Sequence, residues 1–238
     1  TTFESVFDVR PTEDDAAVVP RGFGEVPGGA RRIEFAGDDP LPAEPRIPGP
    51  HNRENAAAAT AAARAAGIAD AAIADIRLPA GCGPRHITLA ADGQYAYVNG
   101  ELDSTVHTVR LDLAQGKHEV LQSLSTLPQP VKGNTTAECI LSPDGRFVYV
   151  SNRGHNSIAV FRVRPDRTLE AVGHITGDIK IPRNFNIDPT GKWLLIASQD
   201  GDKVGVWSRD ATTGLGKETG QTITVSRPVC IKFVPVAQ

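Results

Sequence analysis

The chain has 238 residues and a formal net charge of −3, from 25 Lys and Arg against 28 Asp and Glu. That near-balance excludes the basic footprint of a nucleic-acid binder or of a protein held on an anionic membrane. No run of about 18 apolar residues is present to span a bilayer. With 40% hydrophobic and 22% charged residues, the composition suits a folded chain with its own core. The three cysteines, Cys82, Cys139 and Cys230, lie far apart without metal-ligand spacing. They read as free thiols packed in apolar strands, in a reducing, cytoplasmic setting. There is no Met, even at position 1, so the chain reads as trimmed, a fragment, a natural fusion or a recombinant chimera.

Residues 1–43 alternate strand-length apolar runs (FESVFDV, AAVVP, ARRIEF) with turn-forming Pro, Gly and Asp clusters. A proline-rich loop over 41–50 follows. Then RENAAAATAAARAAGIADAAIADI, from Arg53 to Ile76, has a strongly helix-favouring composition because Ala loses no side-chain entropy in a helix. Asn52 suits its N-cap, Gly67 ends it, and a second short helix is predicted over 70–76. These residues form a small α/β segment over 1–79.

The stretch GPHNRENAAAATAAARAAGI from Gly49 resembles the Mur ligases, the ATP-dependent amide-forming enzymes of peptidoglycan synthesis, and within them the D-glutamate-adding branch. The resemblance implies that Asn52 and Asn55 lie near the adenine of ATP, with ATP and Mg as cofactors of this alternative reading. Read from the residues alone, Asn52 is an N-cap and Asn55 a helix-surface amide. No GxxxxGK[ST] loop is present to cradle a triphosphate.

From Leu78 the period changes from helical to two. Three copies of one pattern follow: GPRHITLAADGQYAYVNGELDSTVHTVRLD from Gly83, AECILSPDGRFVYVSNRGHNSIAVFRVRPD from Ala137, and IPRNFNIDPTGKWLLIASQDGDKVGVWSRD from Ile181. Each reads as strand, tight turn, strand, polar bend, strand. The turn glycines Gly93, Gly145 and Gly191 recur 52 and 46 residues apart, the period of propeller blades. The segments EVLQSLSTLPQP and LEAVGHIT supply outer strands and crossovers. The fold class is therefore mainly β: a partial β-propeller of about three blades over 80–238, preceded by the α/β segment.

These copies, ending in PVCIKF, resemble the seven-bladed propeller lactonases, a family that includes 6-phosphogluconolactonases and carboxymuconate lactonising enzymes. The resemblance implies that PVCIKF is a closing strand and that the active site combines Arg85, Glu101 and Arg153. In place of the family's Asn-Glu-Leu this chain has Asn99-Gly100-Glu101-Leu102. A His that the family draws from the preceding blade has no matching residue here.

The chemistry of the trio is sound without the family, but the residues alone read first as a structural ion-pair network at strand ends. A guanidinium stabilises the oxyanion of an opening lactone and anchors phosphate or carboxylate, and Glu101 is a candidate general base. Arg183 shares the repeat position of Arg85, and Glu138 and His86 are weaker substrate-binding candidates. Strand alternation predicts that His86 points away from Arg85. The expected partner is a small anionic lactone, with no metal, nucleic acid or membrane. Self-association through open blade edges is also expected. The rival readings are a Mur-type ligase fragment and a non-catalytic binding scaffold.

Overall fold

The computed structural model describes residues 16–22, 31–41, 53, 56–61, 76–112 and 114–233. They fall into two compact units, one of residues 1–75 with 113–117, the other of residues 76–112 with 118–238.

In the smaller unit, β1 (Ala16–Pro20) and β2 (Arg31–Phe35) pair in parallel, Ala16 opposite Arg31 through Pro20 opposite Phe35. The Ala-rich run is helical at residue 53 and over 56–61. The Arg53 guanidinium donates to the Gly37 carbonyl and, at 3.2 Å, to that of Asp39. Asn52 and Asn55 lie outside the described residues, as do FESVFDV and residues 70–75.

Among the described residues, the larger unit is built from three four-stranded sheets. The first holds β3 (Pro84–Leu89), β4 (Tyr95–Gly100), β5 (Thr105–Asp112) and β6 (Lys117–Ser125). The second holds β7 (Thr136–Leu141), β8 (Phe147–Asn152), β9 (Ser157–Val163) and β10 (Leu169–Ile175). The third holds β11 (Pro182–Ile187), β12 (Trp193–Ser198), β13 (Lys203–Arg209) and β14 (Gly216–Thr224). In each sheet the strands neighbour one another in chain order, which is the meander of a propeller blade. The inner hairpins turn at Gly93, Gly145 and Gly191, with φ of +67°, +67° and +72°, where a side chain would be strained.

The period-two pattern explains how the blades stack. Along β8, Phe147 and Tyr149 enter one core cluster with Ile158, Phe185, Leu194 and Trp207. The intervening Val148 and Val150 enter another with Tyr97, Val106, Cys139 and Phe161. Both faces of the middle blade are thus buried, one against each neighbouring blade, and all six residues of β8 are buried.

Each seam is also clamped by hydrogen bonds. Tyr97 Oη donates to the Arg167 carbonyl at 3.2 Å, and the Arg167 guanidinium reaches Asp92 at 2.7 Å. One blade on, Tyr149 Oη donates to the Gly214 carbonyl at 2.7 Å, and Arg209 reaches Asp144 at 2.9 Å and Tyr149 Oη at 2.8 Å. In the third blade Thr190 and Leu195 occupy the positions of Asp92 and Tyr97, so its own turn carries neither half of the clamp.

Two expectations change. PVCIKF forms no strand: residues 228–233 run beside β11, where Asn186 Nδ2 donates to the Ile231 carbonyl at 3.0 Å and the Ile231 amide donates to Asn184 Oδ1 at 2.8 Å. Side chains of β11 take the place of a backbone ladder. The cysteines are free, but only Cys82 and Cys139 are buried, and Cys230 is exposed. Among the described residues, no helix is long and apolar enough to cross a membrane.

The Arg209 side chain is 2% exposed against Asp144 at 33%. Arg209→Met strips a buried clamp and should lower unfolding stability by about 2–3 kcal/mol in a urea titration. Arg164→Ala removes an exposed pair with Glu170 at 3.5 Å and should change it by less than about 0.5 kcal/mol.

Candidate active site at the inner strands

β3, β7 and β11 are edge strands of their sheets, and β3 and β11 both pack on β7. Their first residues are aligned: Pro84 faces Gly100, Thr136 faces Asn152 and Pro182 faces Ser198. The register then slips in all three. On β3 the next pair is Ile87 with Val98, so Arg85 and His86 together oppose Asn99. On β7 the next pair is Cys139 with Val150, so Ala137 and Glu138 oppose Ser151. On β11 Arg183 is the extra residue before Asn184 meets Ala197. A bulge breaks strict alternation and re-aims side chains. Arg85 and His86 accordingly border one cleft of about 220 Å³, and the expectation that His86 points away from Arg85 is corrected.

The structure brings Arg85, Glu101 and Arg153 together. Glu101 opens the turn after β4, and Arg153 opens the corresponding turn after β8. Arg85 Nη1 donates to Glu101 Oε2 at 3.1 Å, and Arg153 Nη2 donates to Oε1 of the same carboxylate, across the seam between the first two blades. Backbone bonds fix the two turns: the Glu101 amide donates to the Gly83 carbonyl at 2.7 Å and the Arg153 amide to that of Thr135 at 2.8 Å. Gly100 accommodates the departure from Asn-Glu-Leu. A Cβ there would collide with Asp103 Oδ1 and lie 2.5 Å from Thr105 Oγ1. Burial opposes ionisation of Glu101, but hydrogen bonds from Arg153 and Arg85, with their charges, outweigh it and hold the carboxyl below its usual range. The Nε atoms of Arg85 and Arg153 are buried and have no hydrogen-bond partner among the described residues.

A second chain joins the three inner strands. His86 Nδ1 lies 2.7 Å from Glu138 Oε1, and Asn184 Nδ2 donates to Glu138 Oε2. The Cys139 amide also donates to Oε1, at 3.1 Å. Asn99 Oδ1 accepts from the His86 amide at 2.8 Å, and its Nδ2 donates to Thr136 Oγ1 at 2.6 Å. Arg183 is half-buried on β11, and among the described residues its side chain joins no hydrogen bond or ion pair. The described residues contain no group of three or more His, Cys, Asp or Glu placed to hold a metal ion.

Asn134, Thr136 and Asn184 are positioning residues absent from the sequence reading. Asn134 Oδ1 accepts from the Gly154 and His155 amides, both at 2.9 Å, and so shapes the turn that carries Arg153. Thr136 Oγ1 donates to the Gly100 carbonyl at 3.0 Å, just before Glu101. Aligning PRH, TAE and PRN places His86, Glu138 and Asn184 in one column, a signal present one residue beyond the Arg85–Arg183 match.

Because the folded-state pKa of Glu101 is depressed, its ion pairs contribute stability above the unfolded value of about 4.3. That contribution is lost as pH falls through the lower folded value. Carboxyl ¹³C shifts should show Glu101 titrating below the bulk of the glutamates. In Arg153→Gln its titration should move up towards them.

A family model described as "Lactonase, 7-bladed beta-propeller" matches residues 62–233. The 6-phosphogluconolactonase of Bacillus subtilis strain 168 is 36% identical over 156 residues, 65% of this chain and 45% of that protein. A crystal structure of a protein from Lactobacillus plantarum superposes with a TM-score of 0.64 at 36% identity, over 67% of this chain and 47% of that one. The Pseudomonas aeruginosa periplasmic gluconolactonase PpgL gives 0.64 at 33% identity, over 68% and 45%. The chain thus spans less than half the length of these relatives. Its bladed fold and the extent of the family match show that it belongs to the seven-bladed β-propeller lactonase family.

Proposed function

We propose that this site opens a sugar-acid lactone of the 6-phosphogluconolactone type by hydrolysis, without metal or nucleotide. Cycloisomerisation of a carboxymuconate-type lactone is the neighbouring alternative, in which a base removes a carbon-bound proton and the alkyl C–O bond of the lactone breaks without water. The observation that carries the reading is the Arg85–Glu101–Arg153 cluster, two permanently charged guanidiniums sharing one carboxylate. It leaves one net positive charge for an anionic substrate, which suits a phosphate or carboxylate group. As the lactone carbonyl is attacked, negative charge grows on its oxygen, and a fixed guanidinium stabilises that charge. Glu101, held below its usual pKa, is a weak base. Its part is to align the two arginines. Arg183, unpaired among the described residues, is a further anchor for the substrate anion.

The relatives' names agree with this class of substrate: one is called a 6-phosphogluconolactonase and another a gluconolactonase. A cytoplasmic setting remains part of the proposal and rests on the three free thiols. Self-association through blade surfaces is proposed from Ile87 and Leu89 on β3, which are 52% and 55% exposed. Light scattering that finds only monomer would exclude it. The ligase-type alternative for residues 1–79 rests on the GPHNREN resemblance and would require Mg-ATP to raise the melting temperature.

The deciding assay is 6-phosphogluconolactone opening above the spontaneous rate, in EDTA. Arg153→Ala and Glu101→Gln should each lower kcat/KM by about 100-fold. Equal rates in both variants would sink the assignment and favour a non-catalytic scaffold.

A further inference from the structure

We propose that His86 is the general base of this site, with Glu138 as its orienting carboxylate. The proposal rests on the lactone-opening reading and supplies the proton acceptor that the arginine cluster lacks.

The geometry has four parts. First, among the described residues His86 is the histidine whose ring pairs with a carboxylate, at 2.7 Å. The ring nitrogens of His107 meet Thr105 and Ser123, His155 meets Ser157, His174 meets the Thr126 carbonyl and His118 accepts from the Arg77 amide. Second, the Glu138 side chain is only 9% exposed, and Asn184 Nδ2 and the Cys139 amide also donate to it. It is therefore an acceptor towards His86, so the imidazole proton sits on Nδ1 and the lone pair on Nε2. Third, Nε2 has no partner among the described residues, and the ring is 40% exposed. Fourth, His86 and Arg85 border the same cleft, whose other walls include Ile76, Leu78, Ile87 and Val98. A base with a free lone pair thus stands beside a guanidinium against an apolar wall.

The step balances as follows. Nε2 takes a proton from water as the water oxygen bonds to the lactone carbonyl carbon. The carbonyl π pair moves onto its oxygen, which Arg85 stabilises. When that pair re-forms the C=O bond, the ring C–O bond breaks, and the leaving alkoxide takes the proton back from Nε2. The product is the open hydroxy acid, with the enzyme unchanged. Glu138 stabilises the transient imidazolium and never gains the proton.

His86→Asn keeps an N–H donor for Glu138 and removes Nε2, so it separates chemistry from structure. With 6-phosphogluconolactone, kcat should fall about 100-fold with KM within twofold, and Glu138→Gln should lower kcat about tenfold. The shape of the kcat–pH profile should differ between the wild type and His86→Asn. The charged groups facing the ring are Glu138 from β7 and Arg85 beside it on β3; the other walls named above are apolar. A His86→Asn variant that keeps its kcat, or loses only substrate affinity, overturns the proposal. A reading independent of turnover is carbethoxylation of the folded protein by diethyl pyrocarbonate, mapped by mass spectrometry. His86 should react fastest of the described histidines, and Glu138→Gln should slow it. If wild type opens no lactone yet this pattern holds, the substrate reading falls and the dyad stands; equal reactivity in Glu138→Gln overturns the dyad itself.

Discussion

Each blade is a sheet with two apolar faces, and a sheet of that kind is stable only when something covers both. In the middle blade the cover is another blade on either side: Phe147 and Tyr149 go one way, Val148 and Val150 the other. Removing one neighbour would expose half of a core that is otherwise close to dry. The seam clamps add direction to this non-directional burial, because Arg209 and Tyr149 can be satisfied only when the adjoining blade is in one register.

That constraint is also why the site exists where it does. Blades pressed together at their faces bring the three edge strands β3, β7 and β11 side by side. A bulge at the same place in each then directs polar side chains towards one another across the seams. Arg85 and Arg153 come from different blades and meet at a single carboxylate. His86, Glu138 and Asn184 come from three different blades, one residue each. Neither group could assemble on one hairpin. The site is a property of the stacking.

How much of this the sequence disclosed follows from which interactions are periodic. Strands such as FVYVSN and WLLIAS were legible because burial on both faces writes itself as alternating β-branched and aromatic residues. The turns were legible from Asp-Gly and Thr-Gly. Arg85, Glu101 and Arg153 were found through resemblance, since nothing local ties residues 85 and 153. The His86–Glu138 pairing was hidden because the inference used ideal alternation, and one inserted residue reverses it. Asn134 was hidden for another reason. Its work is to accept from backbone amides, which a sequence does not display. The resemblance made 228–233 a closing strand, yet the segment meets side-chain amides where a strand needs a backbone edge.

Asn184 has one further effect. An amide side chain has a donor end and an acceptor end, and either could face Glu138 by shape alone. Here the Ile231 amide occupies the acceptor end, so the NH₂ must point at the carboxylate. Ile231 thereby turns a donor of Asn184 towards Glu138, the carboxylate that also meets His86 Nδ1 at 2.7 Å. Residues 231 and 86 never touch, yet they are linked through two side chains from two further strands.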